Sequence, residues 1–268
     1  MWTDILEGIP KDATYLWANS SIVYEDGKDA TIDNGVYLHH YGIFDMDKTT
    51  KRVSSCIGVL TPDRPSLFTG GVEDKGDSFY TSPDGKFNSG FYVGPKDKMM
   101  STAQVVNYSN KTKEVYARLE IEFVPGRVKD ALDVGIQSMS VTGCGINIAI
   151  TPKKDDKSMS LKSRLFPVIE DGYIIGATYV QIGRFNRILT VCSGHLHDGG
   201  VNLVVKVNGK VNCDSKAIYG GSAATAKMED GRVWETIHQM THCIDPFPIK
   251  RGDNITVEAN YDFVNHPS

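Results

Sequence analysis

The chain has 268 residues, 40% of them hydrophobic and 23% charged, with a formal net charge of −4. That length can bury a large core, as one large domain or two ordinary ones, and the acidic balance gives no footing for nucleic acid or an anionic membrane surface, which favour basic patches. No apolar stretch approaches the ~20 residues of a membrane span, and Met1-Trp2-Thr3-Asp4 lacks the basic start and apolar segment of a signal peptide.

Taken in chain order, the first marked element is the apolar segment Gly35-Val36-Tyr37-Leu38, which ends in His39-His40. Residues 115–123 alternate and read as a strand. A short helix is expected over residues 127–134, after Pro125-Gly126. The charged, turn-rich segment 152–158 is the best break in the chain. Residues 187–192 read as a strand leading into Ser193-Gly194-His195-Leu196-His197-Asp198-Gly199-Gly200. Residues 201–207 and 210–213 flank Asn208-Gly209, a strong hairpin signal. A further strand is expected over 254–261. Helical periodicity is otherwise nearly absent. The pattern predicts an all-β protein of two antiparallel β-sandwich, jelly-roll-like domains packed side by side. They would cover residues 1–151, carrying His39/His40, and 159–268, carrying His195/His197.

Residues two apart on a strand share a face, so His195 and His197 can aim both rings at one metal ion. The glycines that follow permit a tight turn, and Asp198 can orient a ring N–H. His39 and His40 are adjacent and should point to opposite faces. Both can reach one ion only across a bulge or an irregular strand end. His238, Met240 and His242 supply further copper-compatible ligand types in the segment 234–243. The dull alternatives are exposed polar residues for the first pair, one buried and one exposed histidine for the second, and a hairpin edge for the third.

Five cysteines (Cys56, Cys144, Cys192, Cys213, Cys243) without a CxxC exclude a zinc ribbon and permit at most two disulfides. Sequons at Asn19, Asn107, Asn110 and Asn254 would mark a glycoprotein if the chain enters a secretory route. No phosphate-cradling glycine loop, GxSxG elbow or HExxH helix is present.

An HH pair followed by an HxH pair on successive β-domains resembles the copper type II, ascorbate-dependent monooxygenases, which include peptidylglycine α-hydroxylating monooxygenase and dopamine β-monooxygenase. The likeness is closer to the stress-up-regulated nodulin-like proteins of plants and fungi. It rests on residues 35–40, on Gln104-Val105-Val106-Asn107-Tyr108, on Glu122-Phe123-Val124-Pro125-Gly126, on residues 194–200, on Val207-Asn208-Gly209 with Cys213-Asp214-Ser215, and on residues 249–262.

The resemblance implies two β-sandwich domains with one copper on each. His39 and His40 would hold the electron-donating ion, and His195 and His197 the ion that meets oxygen and the substrate C–H bond. Ascorbate would be the reductant and a small molecule or peptide the substrate. Two departures stand out. Asn107 falls where the family has a third histidine ligand. The sequence ends at His266-Pro267-Ser268, before the strand expected to carry the family's axial methionine. Either that strand lies outside this sequence, or another residue takes its place, for which Met240, His238, His242 and His266 are the nearby candidates.

Three readings follow. The first is a copper-dependent monooxygenase-like oxidoreductase, with His195 and His197 catalytic. The second is a copper-binding β-sandwich without turnover. The third is a metal-free, non-redox enzyme or small-molecule binder using an inter-domain cleft lined by Trp17, Tyr41, Phe44, Tyr92 and Trp234. The sequons suggest an extracellular or secretory location; a cytoplasmic one is the alternative.

Overall fold

The computed structural model describes residues 2–49, 65–71, 75–82, 84, 87–138, 141, 157–169, 171–175, 179–181, 187–190, 196, 198–220, 225–227 and 233–266. His195, His197, Cys56, Cys144, Cys192 and nearly all of the expected break at 152–158 lie outside them. So do the side chains of His238 and Trp234. The described residues are overwhelmingly strand, and their one helical turn is the 3-10 turn Ile32–Asn34. The protein is all-β, built mainly from antiparallel sheets.

The first core lies between two sheets. One runs in the order Trp2–Leu6, Met99–Asn107, Val36–Thr49, Pro65–Gly71, Gly135–Ser138, Tyr179–Gln181. The other is centred on Ala13–Val23, which pairs with Lys75–Phe79, Ser89–Val93 and Tyr116–Pro125. Tyr15, Phe68, Tyr80 and Phe91 are fully buried between them and meet edge-on, stacked or tilted. Such pairs add to the area that aromatics bury.

The second core is formed by apolar faces of two further sheets. Leu203, Val205, Val207, Ile255, Val257 and Ala259 face it from the larger sheet, in the order Ser158–Lys162, Asn254–Asp262, Gly200–Val207, Lys210–Tyr219, Ile237–Met240. Ile174, Phe247 and Ile249 face it from the smaller, in the order Arg187–Thr190, Gly172–Ile175, Phe247–Ile249. Alternate residues of each strand point inward, as a half-buried strand requires. The first core draws on residues between Ile9 and Ile136, the second on residues between Phe166 and Ala259. The strand Tyr179–Gln181 nevertheless pairs with Gly135–Ser138, so hydrogen bonding crosses the expected break.

The hairpin at Asn208-Gly209 forms as its sequence predicts. Val207 pairs with Lys210, and both turn residues have positive φ (50° and 82°), as a two-residue type I′ turn demands. The helix expected over 127–134 does not form. Ala131 N–H donates to the Val128 carbonyl in a single turn, and Asp130 adopts φ 57°. The N–H groups of Leu132 and Val134 are claimed by the carbonyls of Asn88 and Gly90, which draws Leu132–Asp133 into a parallel pairing with Ser89–Val93. Partners on a neighbouring strand outcompeted a local pattern too short to nucleate a helix.

Candidate metal centre

His39 and His40 sit in the strand Val36–Thr49, at a break in its ladder. Leu38 pairs with Val105, while His40 pairs with the very next residue on the partner strand, Gln104. Two steps on one strand therefore oppose one on the other, which is a β-bulge at His39. The bulge changes the parity of the strand. Val36 and Leu38 are buried before it, and Tyr41 and Ile43 after it. Without the bulge, the alternation that buries Val36 and Leu38 would carry His40 inward. With it, both histidines stay out of the core: His39 is half-buried and His40 exposed.

The two rings meet edge to face, with centroids 4.1 Å apart and planes at 87°. Their Nδ1 atoms converge on one oxygen. His39 Nδ1 lies 3.4 Å and His40 Nδ1 3.3 Å from Gln104 Oε1. Although His40 reaches the surface, partial burial of its ring lowers its pKa from the usual histidine value. The hydrogen bond to Gln104 opposes that shift and the neighbouring His39 adds to it. A ring held neutral is ready to ligate. Two imidazole nitrogens and an amide oxygen at one point form a donor set that suits a borderline first-row metal, copper included.

Asn107 is not part of this cluster. It pairs with Val36 at the far end of the ladder, three residues from Gln104 and so on the opposite face. Its Nδ2 donates to the Lys111 carbonyl (2.8 Å), and its Oδ1 accepts from the N–H and hydroxyl of Ser109 (2.9 and 2.7 Å). That is the local side-chain-to-backbone pairing of an Asx turn. Gln104 was not singled out from the sequence. Its signal is a cross-strand register between residues 64 apart, which no local pattern carries.

The second histidine region is described in part. Leu196 is 2% exposed and packs in the second core. Asp198 Oδ1 accepts from the Thr236 hydroxyl (2.8 Å), which ties the segment to the start of Ile237–Met240. Gly199 makes the expected turn at φ 89°, and a Cβ there would sit 2.6 Å from the Phe263 ring. His266 stacks on Tyr219 at 3.8 Å, and Tyr219 hydroxyl donates to the Gly200 carbonyl (2.9 Å). The backbone of Ile237–Met240 carries its own irregularity, since Tyr219 pairs with Ile237 and Ile218 with Gln239, skipping His238. Met240 is 3% exposed in the second core.

His242 stands elsewhere, between the two cores. Its Nε2 lies 3.8 Å from Asp77 Oδ2, and its ring meets Phe79 edge-on at 5.8 Å. Asp77 Oδ1 accepts from Trp17 Nε1 (3.2 Å) and Asn19 Nδ2 (2.8 Å). Burial lowers the His242 pKa, and Asp77 only partly opposes that. Its Nδ1 is buried without a hydrogen-bond partner among the described residues. Next to it, Cys243 forms a disulfide with Cys213.

Three of the aromatics expected to line a cleft have separate surroundings. Tyr41 is core, Trp17 faces Asp77, and Tyr92 is held by Asp12 with Arg127 over its ring. No helix among the described residues is long and apolar enough to cross a membrane.

The chain is similar to two curated fungal proteins. One, named a probable copper-dependent oxygenase, is from a Phoma species; it is 24% identical over 248 residues, covering 91% of this chain and 55% of that protein. The other, also named a probable copper-dependent oxygenase, is from Cochliobolus lunatus; it is 23% identical over 245 residues, covering 91% of this chain and 69% of that protein. The chain thus spans about half the length of the first of these relatives. No protein-family profile matches it, and no solved structure does.

Proposed function

We infer that the chain is a copper-binding protein of the copper-dependent oxygenase type, with His39 and His40 holding one ion and His195 and His197 another. The observation that carries this reading is the convergence of the His39 and His40 Nδ1 atoms on one point, 3.4 and 3.3 Å from a shared oxygen. The similarity along nine-tenths of the chain to two proteins named probable copper-dependent oxygenases points the same way.

On this reading copper supplies redox chemistry when bound. The reaction is that of the ascorbate-dependent monooxygenases the sequence resembles: one oxygen atom of O2 enters a C–H bond of a small molecule or peptide, and the other leaves as water. Ascorbate provides the two electrons. His39 and His40 belong to the electron-supplying half, and His195 and His197, with Asp198 behind them, to the half that meets substrate. We assign each half to one core, the first drawing on residues between Ile9 and Ile136 and the second on residues between Phe166 and Ala259, with Tyr179–Gln181 crossing over to pair in the first sheet. The Cys213–Cys243 disulfide supports an oxidising, extracellular or secretory location. Among the sequons Asn110 is exposed and open to a glycan, whereas Asn19 is 7% exposed and bonded to Asp77.

Copper quantified per chain, with electron paramagnetic resonance of the oxidised protein, tests the reading. Two ions are expected in the wild type, one after His195→Ala/His197→Ala and one after His39→Ala/His40→Ala. Reductant-driven oxygen consumption should disappear with either pair. Copper that binds without any oxygen consumption would favour a binding protein without turnover. Copper stoichiometry unchanged by both pairs sinks the proposal.

A further inference from the structure

We propose that Gln104 is the third donor of the His39–His40 centre, through Oε1, making it a two-nitrogen, one-oxygen site. This rests on the copper reading above and goes beyond it, because Asn107, the position the resemblance marks for the third ligand, is spent in a turn on the other face.

Three observations carry the assignment. The first is register: His40 and Gln104 are direct cross-strand partners, so their side chains rise from one face of the sheet a few ångströms apart. The second is aim. Both Nδ1 atoms approach the same oxygen, Gln104 Oε1. The third is spacing. A neutral N–H···O bond centres near 2.9–3.0 Å, and both separations here are longer, at 3.4 and 3.3 Å. Donors bound to one first-row ion at about 2.0–2.1 Å and near-tetrahedral angles stand roughly 3.3–3.4 Å apart. Both N···O separations therefore also match the spread of donors around a single ion.

The chemistry of the donor follows. An amide oxygen is a harder ligand than a third imidazole, and softer ligands select the cuprous state. Gln104 thus biases the centre toward the cupric form and lowers its reduction potential relative to a three-histidine site. This distinguishes the centre in this chain from the one the sequence resemblance implies.

The test uses the full chain carrying His195→Ala/His197→Ala, so that one centre is read. Cupric ion is titrated in, and affinity, paramagnetic resonance and reduction potential are measured. Gln104→Leu should weaken binding by tenfold or more and alter the resonance parameters, with an unchanged melting curve for the metal-free protein. Gln104→Glu, which keeps an oxygen donor, should restore affinity. Gln104→His should add a third nitrogen to the superhyperfine pattern and raise the potential. If Gln104→Leu binds copper with the affinity and spectrum of its parent while His39→Ala abolishes binding, the Gln104 assignment is overturned and the copper reading stands. If the parent binds no copper at all, or binds it equally after His39→Ala/His40→Ala, both fail.

Discussion

The His39–His40 pair and His242 use the same side chain to opposite ends. The pair is lifted off the core face by a bulge and gathers three donor atoms at the surface of one sheet. His242 is wedged between Phe79 and Asp77, with 16% of its side chain exposed and a disulfide in the next residue. The contrast shows that what surrounds the ring, not residue type alone, decides whether a histidine is available as a ligand. His242 lies past the end of Ile237–Met240, where packing closes around the ring and makes the imidazole a structural wedge.

The sharpest way to break that contrast is to loosen the His242 side. Reducing the Cys213–Cys243 bond, or replacing both cysteines by serine, opens a link between residues 30 apart. Loop-closure entropy puts the loss at about 3–4 kcal/mol, read as a lower chemical-denaturation midpoint. Copper binding at the His39 centre should be unchanged in protein that remains folded. His242→Ala comes next. Emptying a mostly buried site should cost about 2–3 kcal/mol, again without touching copper at His39. A copper loss tracking either variant would mean the two regions are one unit.

The pH dependence is smaller and has a definite sign. The folded His242 pKa is depressed by burial, so the unfolded chain takes up a proton first as pH falls. The His242 contribution should be intact above the unfolded value of about 6.5, and decline as pH drops below it toward the folded value. Melting curves between pH 8 and 5 should show this slope, and His242→Gln should flatten it. The smallest stability effect belongs to the ligand pair. His39→Ala/His40→Ala in metal-free protein should shift stability by no more than about 0.5 kcal/mol, as surface substitutions usually do. A large loss would show that the bulge histidines hold the fold as His242 does.

The sheet-forming stretches were legible where a local rule applied. Asn208-Gly209 called for a type I′ hairpin and got one, and the alternation of 115–123 and 254–261 matches Tyr116–Pro125 and Asn254–Asp262. The segment 127–134 misled because its fate was decided by Asn88 and Gly90, distant in sequence. The site was half legible. The HH pair stood out, and its need for a bulge followed from strand parity. That the bulge falls at His39 and brings Gln104 underneath depends on pairing across 64 residues, which neither composition nor periodicity encodes.

The strand Asn254–Asp262 follows every other strand of its sheet in the chain, yet it lies inside that sheet, between Ser158–Lys162 and Gly200–Val207. Emerging from a ribosome, Ser158–Lys162 must wait for that strand to arrive, and Gly200–Val207 must wait with one of its two edges unmet. The hairpin across Asn208-Gly209 can close at once, but the layer it belongs to locks together late. Contacts this far apart in sequence are slow to form. Holding that half unaggregated during synthesis is therefore a task the topology hands to the cell.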